Sequence, residues 1–333
     1  MKQNPKTLLL SSKDQSKILN DNLADAIDII ETALKKKREG KILLPDKISV
    51  VFNEQTQNRI NCMPGALLDD DLYGVKWVAV FPQNPKDGYK NVTGTMILSE
   101  LKHGHTLSVM DAGYLTAIRT AAMGATAAKY LSRKEVSTIG FIGAGQQARR
   151  HLDLIKIVRP NITKCYVSSF PDGSVESFIA EEKQLHPDIC FINCENRYED
   201  ATKDADIIVT AISGQEPILK ADWIKEGAFY IHVAGWEDEY AVPLKASKIV
   251  CDDWACIKHR TQTISRMYKE GLLKDTDIYG NLDEIVSGLK EGRENEEEFI
   301  YFCSVGLAYI DVSFAKYVYE TAKKTGLGFE FEF

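Results

Sequence analysis

The sequence predicts an α/β protein in which a doubly wound parallel sheet is joined to a second, α+β domain. Two observations predict it. From about residue 138 onward, apolar strand-like runs alternate with segments of helical periodicity, the mark of a parallel sheet covered on both faces. Before that point, strand-like runs follow one another across short acidic or glycine-containing turns, the mark of antiparallel pairing.

The elements follow in order. Lys47–Phe52, Arg59–Met63, Val75–Val80 and Val92–Leu98 read as antiparallel strands, with Leu68-Asp69-Asp70-Asp71 among the turns. Asp111 is placed to cap a helix over Ala112–Leu131, whose alanines and other small residues suit close packing. The parallel strands are Thr138–Ile142, Lys164–Ser168, Ile189–Asn193, Asp206–Ala211, Phe229–Ala234 and Lys248–Asp252. Between the first two, Ala148, Leu152, Ile155 and Val158 recur at spacings that form one stripe of a helix. A last helix, Val305–Lys324, carries Leu307, Ile310, Phe314, Tyr317 and Val318 along an apolar side. Because the sheet already reads as complete, that helix is expected to return to the N-terminal part. The domains expected are residues 1–130 completed by 305–333, and residues 131–304.

Composition narrows the function. At 333 residues with 44% apolar content, the chain builds a large core. A net charge of −7 and a pI near 5.5 provide no basic face, so neither nucleic acid nor an anionic membrane is an expected partner. The acidic run Glu294–Glu298 reads as a solvated loop. Met1–Lys6 lead into only a short apolar run and no stretch reaches the length of a membrane span, so a cytoplasmic location is expected. The seven cysteines are odd in number and sit mostly in apolar runs; neither Cys190 with Cys194 nor Cys251 with Cys256 has C-x-x-C spacing. They read as small buried hydrophobes. His103 and His105 flank Gly104 in a polar turn and are assigned no metal.

The stretch Thr138-Ile139-Gly140-Phe141-Ile142-Gly143-Ala144-Gly145-Gln146-Gln147-Ala148 reads as a buried strand running into a glycine turn and then a helix. Gly143 makes the tight turn, Gly145 lets the backbone approach a pyrophosphate, and Ala148 lets the helix pack closely on the strand. The helix start adds free N–H groups and its positive end. With the strand at Lys164–Ser168 this becomes one βαβ unit of the length a Rossmann dinucleotide site requires. At the tip of that second strand, where an acid would hold the ribose 2′-hydroxyl of NAD, stand Ser168 and Ser169. Two hydroxyls there, with Arg149 or Arg150, suit a 2′-phosphate, although both arginines read equally as exposed helix residues. NAD and NADP both stay open.

Other residues carry chemistry. Arg119 lies mid-helix among Leu115, Ala122 and Met123, where a guanidinium requires a partner: either a structural ion pair or a substrate carboxylate held bidentately. Lys76 sits in an apolar strand and points opposite to Val75 and Trp77, toward solvent or a site. Arg59 and Lys47 occupy the preceding strands, and these four cations define a site only if they converge. Glu237 and Asp238 follow the fifth parallel strand, at the edge where open α/β sheets bind ligands, and read either as proton-transfer groups or as the start of a hydrophilic loop.

Taken together, these segments resemble the ornithine cyclodeaminase/μ-crystallin family, which also contains alanine dehydrogenases and ketimine reductases. The resemblance runs over almost the whole chain and is carried by Arg59–Gly65, Gly74–Trp77 with Phe81–Pro85, Ile118–Ala122, the Gly143 turn, and Ser304–Ala308 through Asp311. Gly74–Pro85, Asp252-Asp253-Trp254 and the stretch Arg260–Leu273 are most similar to the N-(2-amino-2-carboxyethyl)-L-glutamate dehydrogenase branch. The resemblance implies an N-terminal domain that binds substrate and dimerises, and a Rossmann domain that binds a nicotinamide dinucleotide. It implies that Arg119, Lys76, Arg59 and Lys47 bind substrate, with Lys76, Glu237 and Asp238 as the catalytic candidates. Where the family usually has an aspartate after the fifth strand, this chain has Glu237.

The cofactor, NAD or NADP, is expected on Gly143, Ala144, Gly145, Gln146, Gln147 and Ala148, on Ser168 and Ser169, on Thr210 and Ala211, and on Arg119 and Thr120. The activity implied is oxidoreduction at the Cα–N bond of an L-amino acid or an N-substituted, opine-like one, through an imine. The alternatives are a cyclodeaminase that recycles NAD and releases ammonia, an alanine dehydrogenase or ketimine reductase, and a non-catalytic nucleotide-gated binding protein, against which Lys76 and Arg119 argue. The partners expected are a small amino-acid substrate and a second copy of the chain.

Overall fold

A computed structural model describes residues 6–53, 55–212 and 215–332. Met1–Pro5, on which part of the leader reading rests, lie outside the described residues. In chain order the elements are β1 (Thr7–Leu10), α1 (Ser12–Asp21), α2 (Asp25–Arg38), β2 (Ile42–Leu43), β3 (Ile48–Asn53), β4 (Asn58–Leu67), β5 (Leu72–Val80), β6 (Val92–Glu100), β7 (Thr106–Asp111) and α3 (Gly113–Leu131). There follow β8 (Thr138–Ile142), α4 (Gln146–Val158), β9 (Lys164–Ser168), α5 (Ser174–Leu185), β10 (Cys190–Asn193), α6 (Tyr198–Thr202), β11 (Ile207–Thr210), β12 (Gln215–Leu219), β13 (Phe229–His232) and β14 (Trp236–Asp238). The chain ends with α7 (Ala241–Lys245), β15 (Lys248–Cys251), α8 (Trp254–Ile257), α9 (Thr263–Lys269), β16 (Gly280–Asn281), α10 (Leu282–Val286), β17 (Ile300–Cys303), α11 (Ala308–Thr325) and β18 (Phe329–Phe331).

These fall into two compact units, one of Met1–Arg119 with Gly306–Phe333 and the other of Thr120–Val305. The division lies inside α3 rather than after it, so no turn or loop marks it in the sequence. Asp111 caps α3 as expected, its Oδ1 accepting the N–H groups of Gly113 and Tyr114.

In the first unit the strands run β18-β1-β7-β6-β5-β4-β2, with β3 also on β4, and β4, β5, β6 and β7 pair antiparallel in sequence. Helix α11 packs on β4, β5 and β6. The face it covers carries Met63, Lys76, Val78, Met96 and Leu98, all buried. The other face exposes Ile48, Val50, Tyr73, Trp77 and Ile97. The strand alternation thus stands as predicted, with its polarity inverted at one point: the lysine is inside and the tryptophan outside.

The second unit is an eight-stranded parallel sheet in the order β10-β9-β8-β11-β13-β17-β15-β16. Strand β17 runs between β13 and β15, so the sheet was not complete at Lys248–Asp252 as expected. Five apolar residues following an acidic run hid it. That run is also less solvated than it reads, because Glu298 is buried and pairs with Lys248 at 3.1 Å. No disulfide is formed among the described residues; four cysteines are buried, Cys62 and Cys256 are half-buried, and Cys190 is exposed.

Candidate active site

The glycine turn after β8 has the geometry its sequence demands. Gly143 adopts φ +104°, and a Cβ there would lie 2.7 Å from the Ala211 carbonyl oxygen, so only glycine fits. A Cβ on Gly145 would meet nothing within 4 Å. Gly145 is the N-cap of α4 and no side chain caps the helix, so its first N–H groups take no side-chain acceptor at the cap. Ala148 is fully buried, as close packing of α4 on the sheet requires. An uncapped helix start beside an exposed glycine is a ready anion cradle, and it fits the pyrophosphate of a dinucleotide.

The neighbouring candidates divide. Gln146 is exposed, Gln147 and Thr120 are half-buried, and the backbone of Ala211 lines the turn. Ser168 does not present its hydroxyl as expected, because the group is buried and donates to the Glu195 carbonyl at 2.8 Å. Ser169 is tied by its N–H to the same carbonyl. Arg149 is engaged by Glu181 at 2.9 Å and by the Ala144 carbonyl, and Arg150 by Asp153 at 2.9 Å. Thr210 has its hydroxyl engaged by Glu237 and Tyr230.

In the first unit Lys76 is fully buried, and its Nζ donates to Asp311 Oδ1 at 2.7 Å. Arg119 Nε lies 2.9 Å from the same oxygen, in charge contact without hydrogen-bond alignment. Two small residues make this meeting possible. Gly65 and Gly74 pair across β4 and β5, and a Cβ on Gly65 would stand 2.9 Å from Tyr309 N, while one on Gly74 would stand 2.6 Å from Met96 Cε. Their lack of side chains lets the first turn of α11 settle on the sheet and bring Asp311 to Lys76. That turn also favours a carboxylate through the helix dipole. Burial, and then the charge of Arg119, lower the Lys76 ammonium to about 8, with Asp311 opposing them.

Two of the four candidate cations therefore converge. Arg59 lies on the same face of β4 as Met63, and its Nη1 donates to the Gln57 carbonyl at 3.0 Å. Lys47 is half-buried just ahead of β3. The residue that sequence reasoning left without a role is Asp311. Its signal was an acid inside the apolar stretch Tyr309-Ile310-Asp311-Val312, where burial demands a partner.

Glu237 and Asp238 form a short strand and are both fully buried, so the hydrophilic-loop reading is corrected. Glu237 accepts the Ile212 N–H and the Thr210 hydroxyl, each at 2.7 Å. Asp238 accepts the Thr263 hydroxyl at 2.7 Å and lies 3.4 Å from the hydroxyls of Tyr230 and Tyr301 and from His232 Nε2. The Thr210 and Tyr230 hydroxyls, 2.8 Å apart, link the two carboxyls. Burial raises Glu237 to about 8 and Asp238 to about 7, and lowers His232 to about 4. The network is a buried, hydrogen-bonded run in which the carboxyls are held to higher pH than ordinary ones and the imidazole is neutral at pH 7.

Fold and site thus define a dinucleotide-binding α/β protein with a buried cation pair in its other unit. The chain matches the ornithine cyclodeaminase/mu-crystallin family over residues 9–326, and it belongs to that family. It is 34% identical to an alanine dehydrogenase of Archaeoglobus fulgidus over 98% of each chain. A solved Δ1-pyrroline-2-carboxylate reductase of Thermococcus litoralis, in complex with NADH and L-proline, superposes with a TM-score of 0.91 at 33% identity, over 97% of this chain and 99% of that one. An archaeal alanine dehydrogenase dimer with bound NAD gives 0.88 at 31% identity, over 99% and 100%. The expected branch is also among the relatives: an N-((2S)-2-amino-2-carboxyethyl)-L-glutamate dehydrogenase of Staphylococcus aureus is 28% identical over 83% of this chain and 82% of that protein. No helix among the described residues is long and apolar enough to cross a membrane.

Proposed function

We propose that this chain is an NAD-dependent oxidoreductase working at the Cα–N bond of an amino or imino acid that it holds by the carboxylate. The observation that carries this reading is the buried Lys76–Asp311–Arg119 cluster, in which two cations face one carboxylate. A net positive charge out of water is costly unless it is cancelled, and a substrate carboxylate cancels it. Arg119 has N–H donors beyond Nε for a bidentate grip. A carboxylate beside a Cα–N bond is also the group common to the amino and imino acids in the relatives' names.

Nicotinamide dinucleotide held at the Gly143–Ala148 corner supplies hydride transfer to or from Cα. Lys76 and Arg119 fix the carboxylate and so orient Cα. Glu237, protonated at neutral pH, serves as proton donor to the nitrogen when an imine is reduced, and Thr210 and Tyr230 connect it to Asp238. NAD is favoured over NADP, because Arg149 and Arg150 are already committed to carboxylates and Ser168 to a carbonyl, leaving a 2′-phosphate without a partner among them. The exposed apolar face of β3, β4 and β5 is the surface on which two copies would pair.

Purified protein with NADH should reduce Δ1-pyrroline-2-carboxylate, or pyruvate with ammonia or an amino acid as amine donor. With NAD it should oxidise the corresponding amine, including N-(2-amino-2-carboxyethyl)-L-glutamate. One cofactor consumed per product supports the reading. Ammonia released from ornithine without net change in cofactor replaces it with a cyclodeaminase, and tight NAD binding with no turnover of any of these replaces it with a binding protein.

A further inference from the structure

Asp153 of α4 and Glu182 and His186 at the end of α5 gather on one point of the helical layer, next to Arg149 and Arg150. His186 is the C-cap of α5 and its N–H donates to the Glu182 carbonyl at 2.8 Å, so the two side chains stand one turn apart on one face. His186 Nε2 lies 3.0 Å from Asp153 Oδ1 and 3.7 Å from Glu182 Oε2. The other carboxylate oxygens face guanidinium groups: Asp153 Oδ2 takes Arg150 Nη1 at 2.9 Å, and Glu182 Oε1 is 3.9 Å from Arg149 Nε. The inner oxygens are left converging on the imidazole. Glu182 is only 2% exposed, and its Oε2 has no hydrogen-bond partner. A buried carboxylate oxygen in that state is costly and calls for a ligand.

We propose that Asp153, Glu182 and His186 form a binding site for a zinc-class divalent cation. These three offer one ligand atom each, all within 4.8 Å of one another. A tetrahedral ion with bonds of about 2.0–2.1 Å spaces its ligand atoms about 3.3 Å apart. The separations of 3.0 and 3.7 Å lie on either side of that value. The ion supplies Glu182 Oε2 with its missing partner and takes the imidazole nitrogen from Asp153. Its fourth position falls to water on the side where the His186 side chain is 15% exposed. Arg150 holds the outer oxygen of Asp153 and the charge of Arg149 faces that of Glu182, which favours binding of each carboxylate through its inner oxygen. The ion then ties the end of α5 to the middle of α4, the two helices that follow the first two strands of the cofactor-binding sheet.

A second histidine cluster provides the control. Glu100, His103 and His105 also stand within ligating distance of each other, but on the β6–β7 hairpin, and the Glu100 oxygens there already accept the backbone N–H groups of both histidines.

The test uses tag-free, metal-stripped full-length protein titrated with Co2+ and Zn2+, read by visible absorption, calorimetry and melting temperature. One ion per chain is expected, with the ligand-field bands of a tetrahedral N/O site and a melting temperature that rises with ion concentration. His186→Ala and the isosteric Glu182→Gln should each weaken binding about tenfold or more. The His103→Ala/His105→Ala double variant should bind as the unaltered protein does. Binding no tighter than that of Mg2+, or binding lost in the double variant and kept in His186→Ala and Glu182→Gln, overturns the proposal. NADH binding by the metal-stripped protein is a separate readout, so failure here leaves the oxidoreductase reading standing.

Discussion

Lys76 Nζ and Asp311 Oδ1 meet at 2.7 Å although 235 positions separate the two residues, and neither side chain has any exposed surface. Arg119 shares the same oxygen. Asp311→Asn leaves two buried cations facing each other, and breaking a buried pair in this way costs about 3–5 kcal/mol. Lys76→Met is milder, because Arg119 still compensates Asp311. Urea unfolding should therefore rank Asp311→Asn as the more damaging substitution, and the opposite ranking would show that packing rather than charge governs the cluster.

The proposed carboxylate grip of this cluster carries a pH limit. Lys76 holds a carboxylate only when protonated, and its ammonium is lowered to about 8. The free-enzyme profile of kcat/KM should fall above that pH, with the change carried by KM. In Lys76→Arg the guanidinium does not titrate in the accessible range, and the fall should disappear. If it persists in that variant, the limb belongs to another group.

How far the sequence disclosed this arrangement differs from one element to the next. The βαβ unit from β8 to β9 was legible because helix periodicity, strand length and glycine placement all agree there. Strand β17 was not, since five apolar residues after an acidic run carry no periodicity of their own; its place is fixed only by the neighbours β13 and β15. Alternation disclosed that Lys76 faces away from Trp77, yet it could not say which face is inside. That is decided by α11, whose approach depends on Gly65 and Gly74. Lys76 and Arg119 were singled out as unusual charges in apolar surroundings, whereas their common partner lies far along the chain and emerges only from the packing.

Gly145→Ala separates cofactor binding from folding. Gly145 has φ −84°, which alanine tolerates, and the added Cβ would meet no protein atom. It would stand at the uncapped start of α4, where the proposed pyrophosphate would approach the backbone. The variant should melt like the unaltered protein without cofactor and bind NADH about tenfold more weakly or worse, read by fluorescence titration. Unchanged NADH affinity would remove the turn from the cofactor site.

The exposed sheet face makes a prediction about assembly. Trp77 is 51% exposed and Ile48 63%, and Cys62 pairs with both across β4, so the apolar surface is continuous over three strands. Surfaces of this kind mark interfaces. Trp77→Glu should convert a dimer to a monomer by light scattering at equal concentration, with the fold preserved by circular dichroism. A dimer that survives the substitution would move the interface elsewhere.

Glu237→Gln tests whether the buried carboxyl acts in proton transfer or only in structure. Burial raises Glu237 from an ordinary 4.5 to about 8. Below 4.5 the group is protonated in both folded and unfolded chains and has no effect on stability. Between 4.5 and 8 the unfolded chain ionises while the folded one keeps its proton, so stability falls as pH rises, and the loss is complete above about 8. Glutamine cannot ionise, yet its amide oxygen can accept the Ile212 N–H and its nitrogen can donate to the Thr210 hydroxyl, preserving both bonds. The variant should therefore be more stable than the unaltered protein at pH 8, with the advantage shrinking toward pH 4.5, while redox turnover drops about 10²–10⁴-fold for want of a proton donor. Full turnover would remove Glu237 from the chemistry. Lower stability at pH 8 would mean that the carboxylate is held ionised by groups the hydrogen bonds do not reveal, and that Asp238 is then the group to examine for the proton.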